Sequence, residues 1–282
     1  MTENTSVISA YGVRVPRIIY GTAWKKERTP ALVEQAITRG FRGIDTAGQP
    51  KHYDEAGVGA GLEPCLTTGL TRADLYIQSK FTPVDGQDPA RMPYDPKASL
   101  ADQVKQSFQT SLRNLRTSYL DCMVLHSPLA NERHLMVVWQ AMEAIFETGS
   151  AKQLGISNCY SLEQLERLYR NAHIKPTVVQ NRFHAQTGYD REIRGFCRQH
   201  QILYQSFWTL TANPWILAND TLQTLASNYG RTPAQVFFRY LTQIDITPLS
   251  GTTSQTHMQE DLAIFEFALT QTECDAMAKL LV

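Results

Sequence analysis

An aspartate, a tyrosine, a lysine and a histidine fall in the first half of this 282-residue chain where they could act together. Asp45 closes the apolar run Phe41–Asp45, Lys80 stands near the end of Leu75–Phe81, and His126, followed by Ser127, closes Tyr119–His126. Tyr53 lies in the segment after the first of these runs. The runs read as β-strands, and an Asp, a Lys and a His at the same end of neighbouring apolar strands are costly to desolvate unless they pair or hydrogen-bond. Grouped with the tyrosine they make a proton-donating site. An ammonium on Lys80 beside the Tyr53 phenol favours the phenolate, and so draws the phenol down from about 10 toward neutrality, where it is an effective general acid. Asp45 holds Lys80 charged and in place, and a neutral nitrogen of His126 orients a carbonyl oxygen toward Tyr53. Such a site polarises a C=O bond for attack by a nucleophile that the side chains do not supply. Hydride from a nicotinamide is the obvious candidate.

Something must bring these residues to one place. Short apolar, β-branched runs recur at Arg17–Tyr20, Phe41–Asp45, Leu75–Phe81, Tyr119–His126, Ala151–Ser157, Thr177–Phe183, Gln201–Phe207 and Ile246–Ser250. Helical patterns fill most of the gaps, which is how strand and crossover helix alternate in a parallel sheet. Pro30 opens a helix over Ala31–Arg39 that stops at Gly40. Ser99 caps a helix with the stripe Leu100, Val104, Phe108, Leu112 and Leu115. Ser161 with Gln164 reads as a capping box, Thr232-Pro233 opens another helix, a further one is expected near Trp215–Ala226, and Thr270–Leu281 reads as a closing helix.

Eight strand–helix units in about 250 residues predict an α/β fold, a single (β/α)₈ barrel spanning residues 1–282. Val7–Arg14, with Tyr11-Gly12 as its turn, is expected to form an N-terminal β-hairpin over the barrel floor. An open doubly wound sheet is the alternative, but no Gly-rich phosphate turn follows the first run. In a barrel, polar residues at C-terminal strand ends face the site. The Pro- and Asp-rich segment Thr82–Pro96 follows the third strand and reads as a lid on that face. Trp24 and Trp208, just beyond strand ends, and Phe81 are expected to wall an apolar substrate pocket.

Composition narrows the partners. Lys+Arg and Asp+Glu are each 27, so no basic excess is present to hold nucleic acid, and 43% hydrophobic with 19% charged residues is a globular composition. No run approaches a membrane span, and Glu3 stands where an export signal would be basic, so a cytoplasmic, soluble protein is expected. Cys65, Cys122, Cys159, Cys197 and Cys274 are odd in number and scattered, which suits reduced thiols and no metal site.

Gly43-Ile44-Asp45-Thr46-Ala47, Tyr53-Asp54-Glu55 leading to Val58-Gly59, Ser79-Lys80, Leu125-His126, Gly155-Ile156-Ser157-Asn158 and Val179-Gln180-Asn181, in this order, resemble the aldo-keto reductase family over nearly the whole chain. The resemblance implies reduction of an aldehyde or ketone with NADPH, in a monomer. Tyr53 is then the acid, with Asp45, Lys80 and His126 around it. It further implies that Ser157, Asn158 and Gln180 hold the nicotinamide carboxamide and that Phe207, or less favourably Trp208, stacks on the ring. Leu210, Ser250, Gly251, Thr252, Thr253, Ser254, His257 and Asp261 would contact the rest of the cofactor. The chain departs from the family in three ways. Gly48–His52 lengthens the path from Asp45 to Tyr53; Leu249 and His257 stand where many members place a Lys and an Arg for the adenosine 2′-phosphate; and no extended C-terminal loop follows the last helix. NADH is therefore an alternative cofactor, and a non-redox, nucleotide-binding regulatory barrel is the alternative function.

Overall fold

A strand forms at each of the expected runs: the last matches its run Ile246–Ser250, the first ends one residue beyond Tyr20, and the other six are shorter than the apolar stretch around them. A computed structural model describes residues 5–281. After a hairpin of β1 (Ser6–Ile8) and β2 (Arg14–Pro16) come β3 (Ile19–Gly21), β4 (Gly43–Asp45), β5 (Tyr76–Phe81), β6 (Cys122–Leu125), β7 (Leu154–Ser157), β8 (Val178–Arg182), β9 (Leu203–Phe207) and β10 (Ile246–Ser250). These last eight pair in parallel in chain order, and β10 returns to β3 to close the barrel. His126, expected as the last residue of its strand, lies just beyond β6. Residues 1–4, with the Glu3 of the export-signal reading, and Val282 lie outside the described residues. No helix among the described residues is long and apolar enough to cross a membrane.

The hairpin pairs Ser6 with Pro16, Val7 with Val15 and Ile8 with Arg14, so its arms run slightly past the expected bounds. Val15 is fully buried in a cluster with Ile19, Tyr76, Cys122, Val124, Val178 and Leu249, which plugs the barrel interior from below. The neighbours Ile77, Phe81, Met123, Leu125 and Val179 belong to the other cluster, between barrel and helices. The two clusters alternate along each strand with the period of two that a pleated strand imposes. Inward residues are therefore Tyr76, Gln78 and Lys80 on β5, and Val178, Gln180 and Arg182 on β8.

That parity corrects one expectation. Phe81 follows an inward lysine, so its ring turns outward, is 2% exposed and packs on Tyr94 with ring centres 5.6 Å apart. It does not wall the cavity. The segment after it is no lid either. Gln87 Nε2 donates to the carbonyls of Gly48 and Thr82, Tyr94 OH donates to Thr82 O at 2.8 Å, and Gln49 Nε2 donates to Gly86 O at 2.6 Å. These bonds tie the segment to the inserted Gly48–His52 stretch from behind.

The helix signals hold with small corrections. The first helix runs Thr29–Arg39 with Pro30 in its first turn and ends at Gly40, where φ is 122°. Ser99 accepts from Asp102 N, and Thr232 and Gln235 form a full capping box. Ser161 caps Gln164 N, but the Gln164 side chain turns away to Leu129 O, so only half of that box is made. Asn219 caps a new helix, which splits the one expected near Trp215–Ala226 into Pro214–Leu217 and Asp220–Tyr229. The closing helix is Gln271–Ala278. Behind the tyrosine segment, helix Glu55–Thr67 touches backbone directly: a Cβ on Gly59 would lie 2.2 Å from Asn114 O, and one on Gly61 2.4 Å from Pro30 O. Only glycine permits that approach.

Candidate active site

β4 and β5 run side by side with Asp45 opposite Gln78, which puts Lys80 one inward step above. Lys80 Nζ donates to both oxygens of Asp45, at 2.6 and 2.7 Å, and to Thr46 O at 2.9 Å. All three hydrogens of the ammonium are thereby used, which a buried cation requires. Asp45 receives more from below: Gln78 Nε2 at 2.7 Å and Gln180 Nε2 at 3.0 Å. Gln205 Oε1 accepts from the same two amides, at 2.8 and 2.9 Å, and Tyr76 OH donates to Gln78 Oε1. An inward layer of glutamines thus fixes the carboxylate. Gln78 and Gln205 carry no charge to mark them in the sequence, although each sits two residues before a site candidate, Lys80 and Phe207.

Tyr53 reaches the pair in spite of the lengthened path. Its N–H and that of His52 both donate to Gln49 O, at 3.0 and 3.1 Å, so the insertion coils into one tight turn. Trp24 braces that turn, donating its backbone N–H to His52 O at 2.7 Å and setting its ring against the His52 ring at 3.8 Å between centres, tilted by 42°. Lys80 Nζ lies 5.2 Å from the centre of the Tyr53 ring, and the His126 ring centre is 5.9 Å from it. Behind Tyr53, Asp54 caps helix Glu55–Thr67 through Gly57 N, and Glu55 accepts from Ser79 Oγ.

The protonation states differ in one respect from expectation. Burial pushes the Tyr53 phenol well above its ordinary range, and the Asp45 charge pushes the same way. Lys80 does not draw it down, because the ammonium is held between the Asp45 oxygens and its field is offset. The phenol therefore keeps its proton. Burial also pulls His126 well below the usual imidazole range, helped by Lys80 and His52, so the ring is neutral. Its Nδ1 meets Thr82 Oγ1 at 2.6 Å.

These groups face a cavity of about 990 Å³. Asp45, Tyr53, His126, Trp24 and His52 line one end, with Trp24 57% exposed. Ser157, Asn158, Gln180 and Phe207 line the middle. Ser157 Oγ donates to Gln180 O at 2.6 Å, and Asn158 Nδ2 donates to His126 O at 2.8 Å. Asn158 takes the left-handed conformation with φ 53°. The next residue is clamped: Cys159 N donates to Asn181 Oδ1 at 3.0 Å, and Asn181 Nδ2 donates to Cys159 O at 2.7 Å and to Asp190 Oδ2 at 2.6 Å. Trp24 and Trp208, which follow β3 and β9, are left-handed as well, at φ 64° and 56°.

The far end is lined by Leu210, Thr232, Ser250, Gly251, Thr252, His257, Glu260 and Asp261. Ser254 does not line it, because its hydroxyl caps helix Gln255–Leu262 through His257 N; Thr253 is exposed and lies off the lining. Ser250 Oγ donates to Asp261 Oδ2, and burial raises Asp261 to about 6. Lys25 Nζ donates to Gly251 O across the cleft. Leu249 and His257 leave this end without the fixed cations of the family pattern. Lys25, Arg182 and His52 are cavity residues that sequence reading did not single out. Arg182 could have been found from its place two residues after Gln180. The five cysteines are buried free thiols.

The aldo/keto reductase family model matches residues 17–282. The Bacillus subtilis (strain 168) protein named Uncharacterized oxidoreductase YtbE is 30% identical over 272 residues, covering 95% of this chain and 90% of that protein. Glyoxal reductase of the same organism is 30% identical over 248 residues, covering 88% and 82%. The crystal structure of an aldo/keto reductase from Brucella melitensis superposes with a TM-score of 0.82 at 27% identity, over 98% of both chains. With a closed parallel barrel, a Lys–Asp pair under a tyrosine at its C-terminal mouth, and a family match from residue 17 onward, the chain belongs to the aldo/keto reductase family and is an oxidoreductase.

Proposed function

We propose that the protein reduces a small aldehyde or ketone to the alcohol with NADPH, or with NADH, and that Tyr53 is the general acid. The observation that carries this is a protonated phenol beside a neutral imidazole, both lining one cavity over a buried Asp45–Lys80 pair. The cavity suits a dinucleotide. Both hydrogens of Gln180 Nε2 are committed, to Asp45 and Gln205, so its Oε1 is the acceptor turned toward an amide. Ser157 Oγ, its own hydrogen given to Gln180 O, is a second acceptor, and Phe207 offers an aromatic face. At the far end the hydroxyls of Ser250 and Thr252 and the backbone of Gly251 would hold phosphate oxygens.

The bound nicotinamide would supply the hydride. The side chains do the rest. His126, with Thr82 donating to Nδ1, presents Nε2–H to the carbonyl oxygen and orients it toward Tyr53. Tyr53 gives its proton to that oxygen as negative charge develops there. Asp45, held by Gln78 and Gln180, keeps Lys80 in position throughout. Trp24 and His52 form an aromatic wall that keeps water from the reacting carbonyl.

The test is Tyr53→Phe, assayed with NADPH and a panel of small aldehydes and ketones. Turnover should fall about 10²–10⁴-fold, the usual worth of a positioned acid, with the Kd for NADPH changed by less than about twofold. A variant that keeps its rate refutes the assignment of the acid. Tight cofactor binding by the wild type with no turnover of any carbonyl compound favours the regulatory alternative.

A further inference from the structure

One charge on the cavity wall has no part in the proposed reduction. Arg182 ends β8 on the same inward face as Gln180, and two strand residues place it roughly 7 Å closer to the mouth. Its register partner on β9 is Phe207. The guanidinium carbon lies 4.4 Å from the centre of the Trp208 ring, and that ring is 46% exposed. Among the described residues no carboxylate stands within ion-pair distance of the guanidinium. The acids that line the cavity are elsewhere engaged: Asp45 is matched by Lys80, and Glu260 and Asp261 lie at the far end. A planar fork of donors, fixed against an indole face and left without an anion, suits a bidentate oxyanion, because its side chain is already ordered.

We propose that Arg182, stacked on Trp208, is an anion-binding residue at the cavity mouth that takes a carboxylate or phosphate group of an entering molecule. The anion comes from one of two sources, an acid group on the carbonyl substrate or the diphosphate of the dinucleotide. The identity of those molecules rests on the reductase reading; the anion site itself does not. Substrates carrying an acid group would then be favoured over their neutral esters in the first case, and NADPH and free diphosphate would share the guanidinium in the second.

The experiment is calorimetric titration of the full chain, wild type and Arg182→Leu, with NADPH, inorganic diphosphate, 4-carboxybenzaldehyde and its methyl ester. Binding is read without turnover, so an inactive protein still tests the site. The leucine variant should lose about tenfold or more in affinity for at least one anion while the ester is unaffected, and Arg182→Lys should recover part of the loss, since a point charge replaces the fork. Loss confined to NADPH and diphosphate assigns the cofactor as the source. Loss confined to 4-carboxybenzaldehyde assigns the substrate. Trp208→Leu, at an exposed position, should weaken the same anion by a smaller factor and serves if Arg182→Leu fails to fold. Unchanged affinity for all the anions in a folded variant overturns the proposal.

Discussion

Lys80 gives hydrogens to both carboxylate oxygens of Asp45, at 2.6 and 2.7 Å, inside a barrel where neither side chain is more than 4% exposed. The pair is matched to itself and to its glutamine cradle, so removing either member leaves the other charge buried alone. Lys80→Met or Asp45→Leu should each lower stability by about 3–5 kcal/mol, whereas the double variant should recover much of that loss while remaining inactive. Denaturant unfolding of the three proteins checks this. A double variant as unstable as the sum of the singles would show that the pair is not coupled.

The pH dependence of reduction follows from the direction of two shifts. A phenol raised above its ordinary range holds its proton throughout the neutral region, and an imidazole lowered well below its own stays neutral there. The rate should be flat from about pH 6.5 to 8.5 and fall only as alkaline pH deprotonates Tyr53. A profile of kcat/KM with an inflection near 7 would mean that Lys80 does draw the phenol down.

Discrimination between the cofactors should depend on Asp261. Burial raises it to about 6, so it is neutral below that pH and a carboxylate above it, at the end of the cavity where an adenosine 2′-phosphate would lie. At pH 7.5, where Asp261 is a carboxylate, Asp261→Asn should raise affinity for NADPH relative to NADH. His257→Arg should raise the preference for NADPH about tenfold at pH 7.5 by supplying a fixed cation. Fluorescence titrations with both nucleotides decide both points.

Gly59→Ala should destabilise the protein by about 1–3 kcal/mol, because the added methyl meets the backbone of Asn114, which cannot swing aside. It should also raise KM, since the same helix follows directly on Tyr53. Thermal unfolding and steady-state kinetics test the two effects separately.

Asn181→Leu should weaken cofactor binding more than it weakens the fold. Asn181 points away from the cavity, yet it holds both backbone groups of Cys159 and so sets the left-handed Asn158 beside it. Nucleotide Kd compared with Tm distinguishes this positioning role from simple loss of packing: a fall in Tm with unchanged Kd would reject it.

Much of this site was legible because strand ends concentrate chemistry, and Asp45, Lys80 and His126 interrupt apolar runs where a polar residue needs a reason. Phe81 was misplaced because its type was weighed and its parity was not; an inward Lys80 forces its neighbour outward. Gln78 and Gln205 went unread for the opposite cause, being uncharged residues inside strands whose partners lie far apart in the chain. The inserted Gly48–His52 turn gives no periodic signal, and its path is set by Trp24 and Gly86, contacts that no local pattern encodes. The Thr82–Pro96 segment reads as a lid from its length, prolines and aspartates, but side-chain to backbone bonds from Gln87, Gln49 and Tyr94 tie it down.

Trp24, Asn158 and Trp208 all hold left-handed backbone at the mouth of the barrel, a conformation that costs an L-residue about 1 kcal/mol or more at each position. Glycine would relieve that cost at all three. Stabilising the backbone by glycine at either tryptophan would strip an aromatic ring from the entrance. Robustness and the shape of the entrance are in conflict at these positions.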